Sequence, residues 1–442
     1  MRLRSGPISA LLCALTVALC GCGSAAPEPA ETPPAVPALS SEPTPTPTPM
    51  PALAPKPTLA PTPEPAPTPR PAREALDYAA EQVTPVAAAL TEAQSAALTD
   101  GDYGTRLRLG AGETLTLGFP RPVTGLYLIW DAPPGAWSAA AEDWTAEYGA
   151  GGVIHEFAEL PAETAELTLS VSQEAILCGV CGFTDGILPD WVQRWDPPAE
   201  TADLLLFPTH GDDEHLFFGG TMPYYAGEMG KTVQVVYLMN HWDEQPRPHE
   251  QLDGLWTGGV RNYPVFGPFH DKYCADLFAA ETLYGGENVA RFQAEMIRRF
   301  RPLAVIGHDV NGEYGHGAHQ LNARSLSRAA ELAADAGFAP DAEYGVWELP
   351  KLYLHLWKEN PIEMNWDVPL ARFDGLTAFE VAKLGYARHT SQQHWSFHVY
   401  AREEWLSCYR FGLVRSTVGP DLRGDDFLEN IPPREGLAAR TP

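Results

Sequence analysis

Two short polar clusters in this chain contain the residue types that bind metal ions and move protons. The first is "HGDDE", His210 to Glu214, which closely follows the apolar run "LLLF". The second is "GEYGHGAH", Gly312 to His319, which follows the apolar run "LAVIGH". Burying carboxylates is costly unless they are paired or bound to a metal ion. Their position beside apolar runs therefore predicts a buried metal site rather than a solvated surface.

The elements that position these clusters belong to an alternating pattern that begins near Thr201. The runs "ADLLLF", "TVQVVYLM" and "LAVIGH" are apolar throughout, as in strands buried on both faces of a sheet. Between the last two, Asn288 to Phe300 has apolar residues at helical spacing. Strands that alternate with helices predict an α/β domain with a mostly parallel sheet. Ligands of such sheets bind beyond the carboxyl ends of strands, where both polar clusters lie.

The donor types indicate which ion would bind. His316 and His319 are three residues apart, which predicts both imidazoles on one helical face. Catalytic zinc is typically held by three nitrogen, sulfur or carboxylate ligands with one position open. We therefore expect one zinc ion, or another divalent metal. A solvated turn with acidic residues at a helix N-terminus would explain the first cluster, but not both clusters in order.

In this order the two clusters resemble the motifs of the PIG-L/LmbE-like N-acetylglucosaminyl deacetylases, His-Pro-Asp-Asp-Glu in the first strand and His-x-x-His further on. The segment Arg247 to Gly267 is similar to the family's Arg-x-x-Glu helix and the strand after it. "ARHTSQQ", Ala387 to Gln393, is similar to its His-x-Ser-Gln element. The resemblance covers about 201–395 and implies a Rossmann-like fold and zinc-dependent removal of acetyl groups from N-acetylglucosamine-type sugars. Gly211 replaces the family's proline, which predicts a looser turn.

The resemblance also implies roles for six residues. The implied zinc ligands are His210, Asp213 and His319. Asp212 is implied as the general base, and Tyr314 and His316 as the groups that stabilise the reacting carbonyl oxygen. The residue types agree with these roles, because adjacent aspartates after a strand diverge, so that one binds metal while the other binds water.

Three further polar residues have two interpretations each. Arg247 either contacts the substrate or pairs with Glu250 on its own helix. His389 either enters the site or caps a loop. Glu214 either begins the next helix or belongs to the site.

Two other functions compete with deacetylation of an amino sugar. One is a non-catalytic surface lipoprotein that binds carbohydrate, which a lost metal ligand would favour; no ligand is lost. The other is a metallohydrolase of another acyl amide, because the motifs define the metal chemistry better than the substrate. The formal net charge of −27 at pH 7 disfavours nucleic acid as a partner.

The amino-terminal residues predict export and anchoring. Residues 1–22 have Arg2 and Arg4, then an apolar stretch too short to span a membrane. They end in "LCGC", which resembles a bacterial lipobox and implies lipid on Cys22 and an extracytoplasmic, membrane-anchored location. An ordinary cleaved signal peptide is the alternative. Residues 23–74 are rich in proline and threonine and are expected to be a disordered, extended linker.

Residues 75–190 predict a small all-β domain ahead of the α/β domain, which we place at residues 200–430. Short runs such as "ETLTLGF" and "GLYLIW" alternate with turn residues, which favours a β-sandwich. The opening of this region loosely resembles galactose-binding-like modules, and a plain spacer is the alternative. Within it, "CGVC" lacks the second cysteine pair of a zinc ribbon, so Cys178 and Cys181 are expected to be small buried residues.

Overall fold

The computed structural model describes residues 77–87, 90–339 and 343–438. The predicted signal peptide, residues 1–22, and the linker, residues 23–74, lie outside this described part of the chain. The described residues belong to one compact unit. Among the helices within the described ranges, none is long and apolar enough to cross a membrane.

The first part of the described chain is an antiparallel sheet of eight strands. The strands are β1 (Gln82–Val83), β2 (Val86–Ala87), β3 (Leu107–Leu109), β4 (Thr114–Trp130), β5 (Trp137–Ala140), β6 (Thr145–Tyr148), β7 (His155–Val171) and β8 (Ala175–Phe183), with helix α1 (Glu92–Ala97) before β3. Their order is β1-β8-β4-β7-β5-β6, while β2 pairs with β4 and β3 with β8. Because hydrogen bonds join all eight strands in one sheet, the sandwich of two sheets stays a prediction. Cys178 and Cys181 lie in β8 and are buried and unbridged.

The second part is an α/β domain around a seven-stranded sheet. Its strands are β9 (Leu204–Leu206), β10 (Val233–Asn240), β11 (Val265–His270), β12 (Ala304–Gly307), β13 (Lys351–His355), β14 (Pro361–Glu363) and β15 (Arg410–Ser416). Its helices are α2 (Asp213–Leu216), α3 (Arg247–Thr257), α4 (Leu277–Tyr284), α5 (Gly286–Phe300), α6 (Gly317–Ala334), α7 (Ala378–Tyr386) and α8 (Arg434–Ala438). A π-helix spans Met222–Glu228, and 3₁₀ turns span Glu313–Gly315, Ala371–Phe373 and Thr390–Gln392.

The strand order of the second sheet confirms the predicted fold class. The order is β11-β10-β9-β12-β13-β15-β14. The first five strands are parallel, and β15 pairs antiparallel with both of its neighbours. Counted from β9, the parallel strands run 3-2-1-4-5, which is the Rossmann order. The order reverses between β9 and β12, so a ligand crevice is expected beyond the carboxyl ends of these two strands.

The central strands are buried on both faces, which explains their continuous apolar runs. Leu204 and Leu206 of β9 pack in a core cluster with Phe217 and Phe218. Leu205 belongs to a separate cluster that contains apolar residues of α5 and α6. Successive strand residues point to opposite faces, so one apolar run contributes to both cores.

Helix α6 is held at its carboxyl end by a buried arginine of α5. The guanidinium of Arg298 donates hydrogen bonds to the carbonyl oxygens of Ala333 (3.0 Å), Phe338 (2.7 Å), Asp335 (2.6 Å) and Leu332 (3.3 Å). The carbonyls of Leu332, Ala333 and Asp335 also accept from backbone N–H groups, so the guanidinium is a second donor to these three and a donor to the Phe338 carbonyl. Because His319 lies near the other end of α6, this cap helps to fix one of the predicted metal ligands.

Replacing Arg298 by alanine should therefore destabilise the protein. We expect Arg298→Ala to lower the free energy of unfolding by roughly 2–4 kcal/mol, because four hydrogen bonds from a buried guanidinium are lost and its volume is left empty. Urea unfolding of the purified chain would measure this. The control is Arg299→Ala, since that guanidinium lies over the Phe300 ring instead, and we expect a loss below about 1 kcal/mol. Equal losses in both variants would contradict the capping role.

Candidate active site

Three of the predicted site residues meet at the reversal of strand order. His210 follows β9, Asp213 begins α2, and His319 is the third residue of α6. The distances are 3.2 Å from His210 Nδ1 to Asp213 Oδ2, 3.3 Å from His319 Nε2 to the same oxygen, and 3.1 Å between the two nitrogens. All three side chains are buried. The three atoms thus form a nearly equilateral triangle.

The size of this triangle fits a tetrahedral metal ion. An ion with bonds of about 2.0–2.1 Å to nitrogen and oxygen separates its ligands by roughly 3.3–3.4 Å. The observed 3.1–3.3 Å is close to that separation. Two imidazoles and one carboxylate are also a common donor set of catalytic zinc sites. The residues present therefore fit a divalent ion and leave a fourth position open.

A buried carboxylate, Glu313, orients one of these ligands. It accepts hydrogen bonds from Nδ1 of His319 (2.8 Å), His308 (2.8 Å) and His355 (2.7 Å). With the hydrogen of His319 on Nδ1, the lone pair of Nε2 points into the triangle. This carboxylate–histidine arrangement is the usual support of a metal-bound imidazole. Sequence reasoning missed Glu313, because its only signal was an acidic residue between two histidines.

Asp271 supports the other imidazole in the same way. Its Oδ1 lies 3.3 Å from His210 Nε2, on the side of the ring away from Asp213. It follows β11, and its other oxygen lies 3.7 Å from His241 Nδ1. Sequence reasoning missed Asp271 as well, because it lies in no motif and approaches His210 only through the fold.

Asp212 has a strained backbone conformation beside the triangle. Its φ is 142°, in a region that favours glycine. Its backbone N–H donates to Glu214 Oε2 at 3.0 Å, and Glu214 Oε1 accepts from the Tyr237 hydroxyl at 2.8 Å. Burial raises the pKa of Asp212, against the opposing charge of Arg247, and the neighbouring Asp213 adds to the rise. Glu214, fully buried, thus holds the loop that presents Asp212 and combines the two roles considered for it.

The structure excludes one of the two interpretations of Arg247, its pairing with Glu250. Its Nη2 donates to the carbonyl oxygen of Gly211 at 2.8 Å and lies 3.9 Å from Asp212 Oδ1. It does not pair with Glu250, whose carboxylate instead accepts hydrogen bonds from Thr390 and Ser391 at 2.5–2.7 Å. The Arg-x-x-Glu helix and the His-x-Ser-Gln element are therefore bonded to each other.

His389 lies behind the site rather than in it. Its ring is fully buried, with Nε2 3.4 Å from Glu214 Oε1, and it does not line the cavity. Neither the predicted contact with substrate nor the loop cap matches this placement. The reason is that the 3₁₀ turn Thr390–Gln392 directs Gln392 toward the cavity and leaves His389 facing the core.

His316 and Tyr314 border the triangle, although not as the spacing predicts. Helix α6 begins at Gly317, so His316 is its N-cap in an extended conformation rather than a helical residue. Its Nδ1 accepts a hydrogen bond from the Ala318 N–H at 3.2 Å, which places the hydrogen of the neutral ring on Nε2. Tyr314 has a φ of 49° and is 40% exposed at the mouth of the cavity.

The turn at Gly211 is tightly packed, which corrects the expectation that glycine in place of the family's proline would loosen it. A Cβ atom there would lie 2.2 Å from Gln251 Cγ, and Gln251 is fully buried. The Gly211 N–H also donates to His241 Nε2 at 3.3 Å, a bond that proline lacks. The space of a proline ring is thus filled by Gln251 of α3, and the turn is held from both sides.

A cavity of about 310 Å³ opens onto these residues. It is lined by His210, Asp212, Asp213, Leu216, Arg247, Asp271, Tyr273, Tyr314, His316, Gln392, Trp395 and Phe397. His319 lies below its floor, fully buried. Asp309 and Asn311 bond to each other and lie outside the cavity.

This constellation on a Rossmann-order sheet has the donor set of a metal site beside a candidate base, and known proteins define the class of protein. No family model matches the chain. It is 31% identical over 278 residues to 1D-myo-inositol 2-acetamido-2-deoxy-alpha-D-glucopyranoside deacetylase 1 of Catenulispora acidiphila, covering 55% of this chain and 75% of that protein. The corresponding deacetylase of Salinispora arenicola is 26% identical over 285 residues, and the match covers 53% of this chain and 92% of that protein. The chain belongs to the PIG-L/LmbE-like deacetylase family.

Among solved structures, N,N'-diacetylchitobiose deacetylase from Pyrococcus horikoshii has a TM-score of 0.34 and 18% identity, covering 44% of this chain and 72% of that one. A protein from Thermus thermophilus has a TM-score of 0.34 and 20% identity, covering 50% and 97%. Likenesses of this size add nothing to the family assignment, which comes from the sequence relatives.

Weakening Glu313 should weaken metal binding without removing a ligand. In Glu313→Gln an NH2 group, which donates instead of accepting, replaces one of the two oxygens that accept from three histidines. His319 therefore loses its fixed orientation. We expect the affinity for zinc to fall by roughly 10–100-fold, measured by competition with a chelator of known affinity. Glu295→Gln, an exposed substitution on α5, is the control. Unchanged affinity in Glu313→Gln would show that these hydrogen bonds do not support the metal site.

Proposed function

We propose that this protein is a zinc-dependent hydrolase that removes the N-acetyl group from N-acetylglucosamine-type sugars. The single observation behind this proposal is the triangle of His210, Asp213 and His319 with Asp212 beside it in an open cavity. Two sequence relatives of the chain are deacetylases of an acetamido sugar linked to inositol. Deacetylation of an acetamido sugar is the reaction that accounts for both.

Zinc bound at the triangle supplies a Lewis acid that polarises an amide carbonyl and lowers the pKa of water. Asp212 is the residue of this chain that moves the proton. Its carboxylate lines the cavity next to Asp213 but is not part of the triangle, so it is free to accept a proton from the attacking water. It then returns that proton to the nitrogen that leaves as the sugar amine.

Two groups face the developing charge on the carbonyl oxygen. His316 carries its hydrogen on Nε2, because Nδ1 accepts from the Ala318 N–H, and so can donate a hydrogen bond to an oxygen in the cavity. The Tyr314 hydroxyl is a second donor that lines the same cavity. Donors fixed before reaction stabilise such an oxyanion without reorganisation.

Arg247 is proposed to position the substrate. Its guanidinium is held by the Gly211 carbonyl and lines the cavity close to Asp212. A fixed guanidinium donates several hydrogen bonds in one plane, which suits the hydroxyl and carbonyl oxygens of a sugar.

Replacing Asp212 by asparagine should separate catalysis from metal binding. Asparagine keeps the size of the side chain and, like aspartate, tolerates positive φ, so metal content should stay near that of the wild type. Loss of the general base should lower the deacetylation rate by about 10²–10⁴-fold. Metal analysis and an assay of released acetate measure the two effects.

Asp309→Asn is the matched control, because that carboxylate lies outside the cavity. A carbohydrate-binding protein without catalysis predicts no acetate release from any variant. Wild-type turnover in Asp212→Asn would show that another group is the base.

We place the proposed reaction on the outer side of a bacterial membrane, with the chain anchored through lipid on Cys22. The support is the "LCGC" sequence after a short apolar stretch and the proline-rich linker that follows it. In the native host, Cys22→Ser should move the protein from the membrane fraction to the soluble extracytoplasmic fraction. Cys13→Ser, within the apolar stretch, is the control. Unchanged membrane association of Cys22→Ser would exclude lipid on this residue as the anchor.

A further inference from the structure

Exposed aromatic side chains surround the mouth of the cavity. Tyr273 is 79% exposed and Trp395 is 56% exposed, and both line the cavity that contains Asp212. They come from separate loops, one after β11 and one after the turn Thr390–Gln392. Leaving such large apolar rings in water is unfavourable, and a cluster of them marks a binding surface.

Each of the two rings contacts one neighbouring aromatic ring. The Tyr273 ring meets the His316 ring edge-on, with centroids 5.4 Å apart. The Trp395 ring packs beside His394, at 4.6 Å, and its backbone N–H donates to the Gln392 carbonyl at 3.1 Å.

The cavity is too small for a chain of sugars. Its volume of about 310 Å³ lies at the lower end of ligand pockets, which span roughly 300–1,000 Å³. A single sugar with its acetamido group would occupy most of it. Any further sugar of the same molecule must therefore lie on the rim, where Tyr273 and Trp395 present their rings.

We propose that Tyr273 and Trp395 bind the sugars that flank the reacting one, so that the substrate is a neutral N-acetylated oligosaccharide rather than a single sugar. A sugar ring can place its face of C–H groups against an aromatic ring while its hydroxyl groups stay in water. An exposed aromatic side chain therefore suits a sugar at the rim of the cavity. The net charge of −27 disfavours an anionic glycan. This inference rests on the proposed deacetylase function.

The test compares substrates of different length. The full chain, loaded with zinc, is assayed for acetate release from N-acetylglucosamine and from its β-1,4-linked pentamer. For the wild type we expect kcat/KM to be at least tenfold higher on the pentamer. Trp395→Ala should lower kcat/KM on the pentamer by roughly 5–20-fold and leave the value for the single sugar within twofold. Tyr273→Ala removes a ring that also contacts His316, so we expect it to lower kcat/KM on both substrates, with a loss at least fivefold larger on the pentamer.

Matched controls come from exposed aromatic residues elsewhere. Phe278 is 77% exposed and Trp405 is 67% exposed, and neither lines the cavity. Phe278→Ala and Trp405→Ala should leave the activity on both substrates unchanged. Binding of the pentamer to Asp212→Asn, measured by calorimetry, gives a readout that does not depend on turnover, and the rim variants should weaken it by a similar factor.

The outcomes separate this inference from the proposed function. Acetate release that does not depend on chain length, or equal losses on both substrates in the rim variants, would overturn the oligosaccharide assignment and leave the deacetylase standing. Pentamer binding that depends on Tyr273 and Trp395 without acetate release would overturn the deacetylase and keep the rim as a sugar-binding surface. Neither binding nor release would overturn both.

Discussion

The burial of the Glu313 carboxylate is the constraint on which the site depends. A carboxylate with no exposed surface is tolerated only when its oxygens are fully hydrogen-bonded. Here three imidazoles from β13, α6 and the end of β12 supply the donors, together with the Asp309 N–H. Each ring must present Nδ1–H, which fixes the tautomer of neutral His308 and His319, whereas His355 also faces the Ser407 carbonyl oxygen with Nε2 at 3.0 Å and so carries hydrogen on both nitrogens. One carboxylate thereby ties three elements together and points the Nε2 lone pair of His319 at the metal site.

A second buried carboxylate does the same for the catalytic loop. Glu214 accepts from the backbone of Asp212 and from Tyr237 of β10. Its bond to the Asp212 N–H opposes relaxation of a φ that costs on the order of 1–3 kcal/mol. Backbone strain of this kind persists only where several surrounding contacts hold the residue in place. The strained conformation directs the Asp212 side chain toward Asp213 and the rest of the triangle instead of into the core.

The all-β part contributes to the site through α3. Leu252 of α3 packs in the core of the antiparallel sheet, and His249 bonds to His155 of that sheet at 3.0 Å. Tyr103 donates to Asp253 of the same helix at 2.7 Å. Because α3 begins at Arg247 and fills the space beside Gly211 with Gln251, the first part of the chain helps to place residues of the cavity. A spacer without structural consequence for the site does not match these contacts.

The sequence by itself determined the fold class and the grouping of His210, Asp213 and His319. Continuous apolar runs indicate strands that are buried on both faces, and short motifs of donor residues indicate the chemistry. Both patterns are local, so they can be recognised without the tertiary structure. His210, Asp213, His319 and Asp212 meet where the strand order reverses, as their positions after strands predict.

What only the tertiary structure decided depends on contacts between distant parts of the chain. Glu313 and Asp271 lie in no spacing pattern, and their roles arise from imidazoles that other strands and helices bring to them. His389 and Arg247 had two interpretations each, because a local motif does not say whether a polar side chain faces the cavity or the core. The exposure of Tyr273 and Trp395 cannot be read from the sequence either. An aromatic residue in a loop is usually buried, and only the surrounding structure shows that these two rings are exposed.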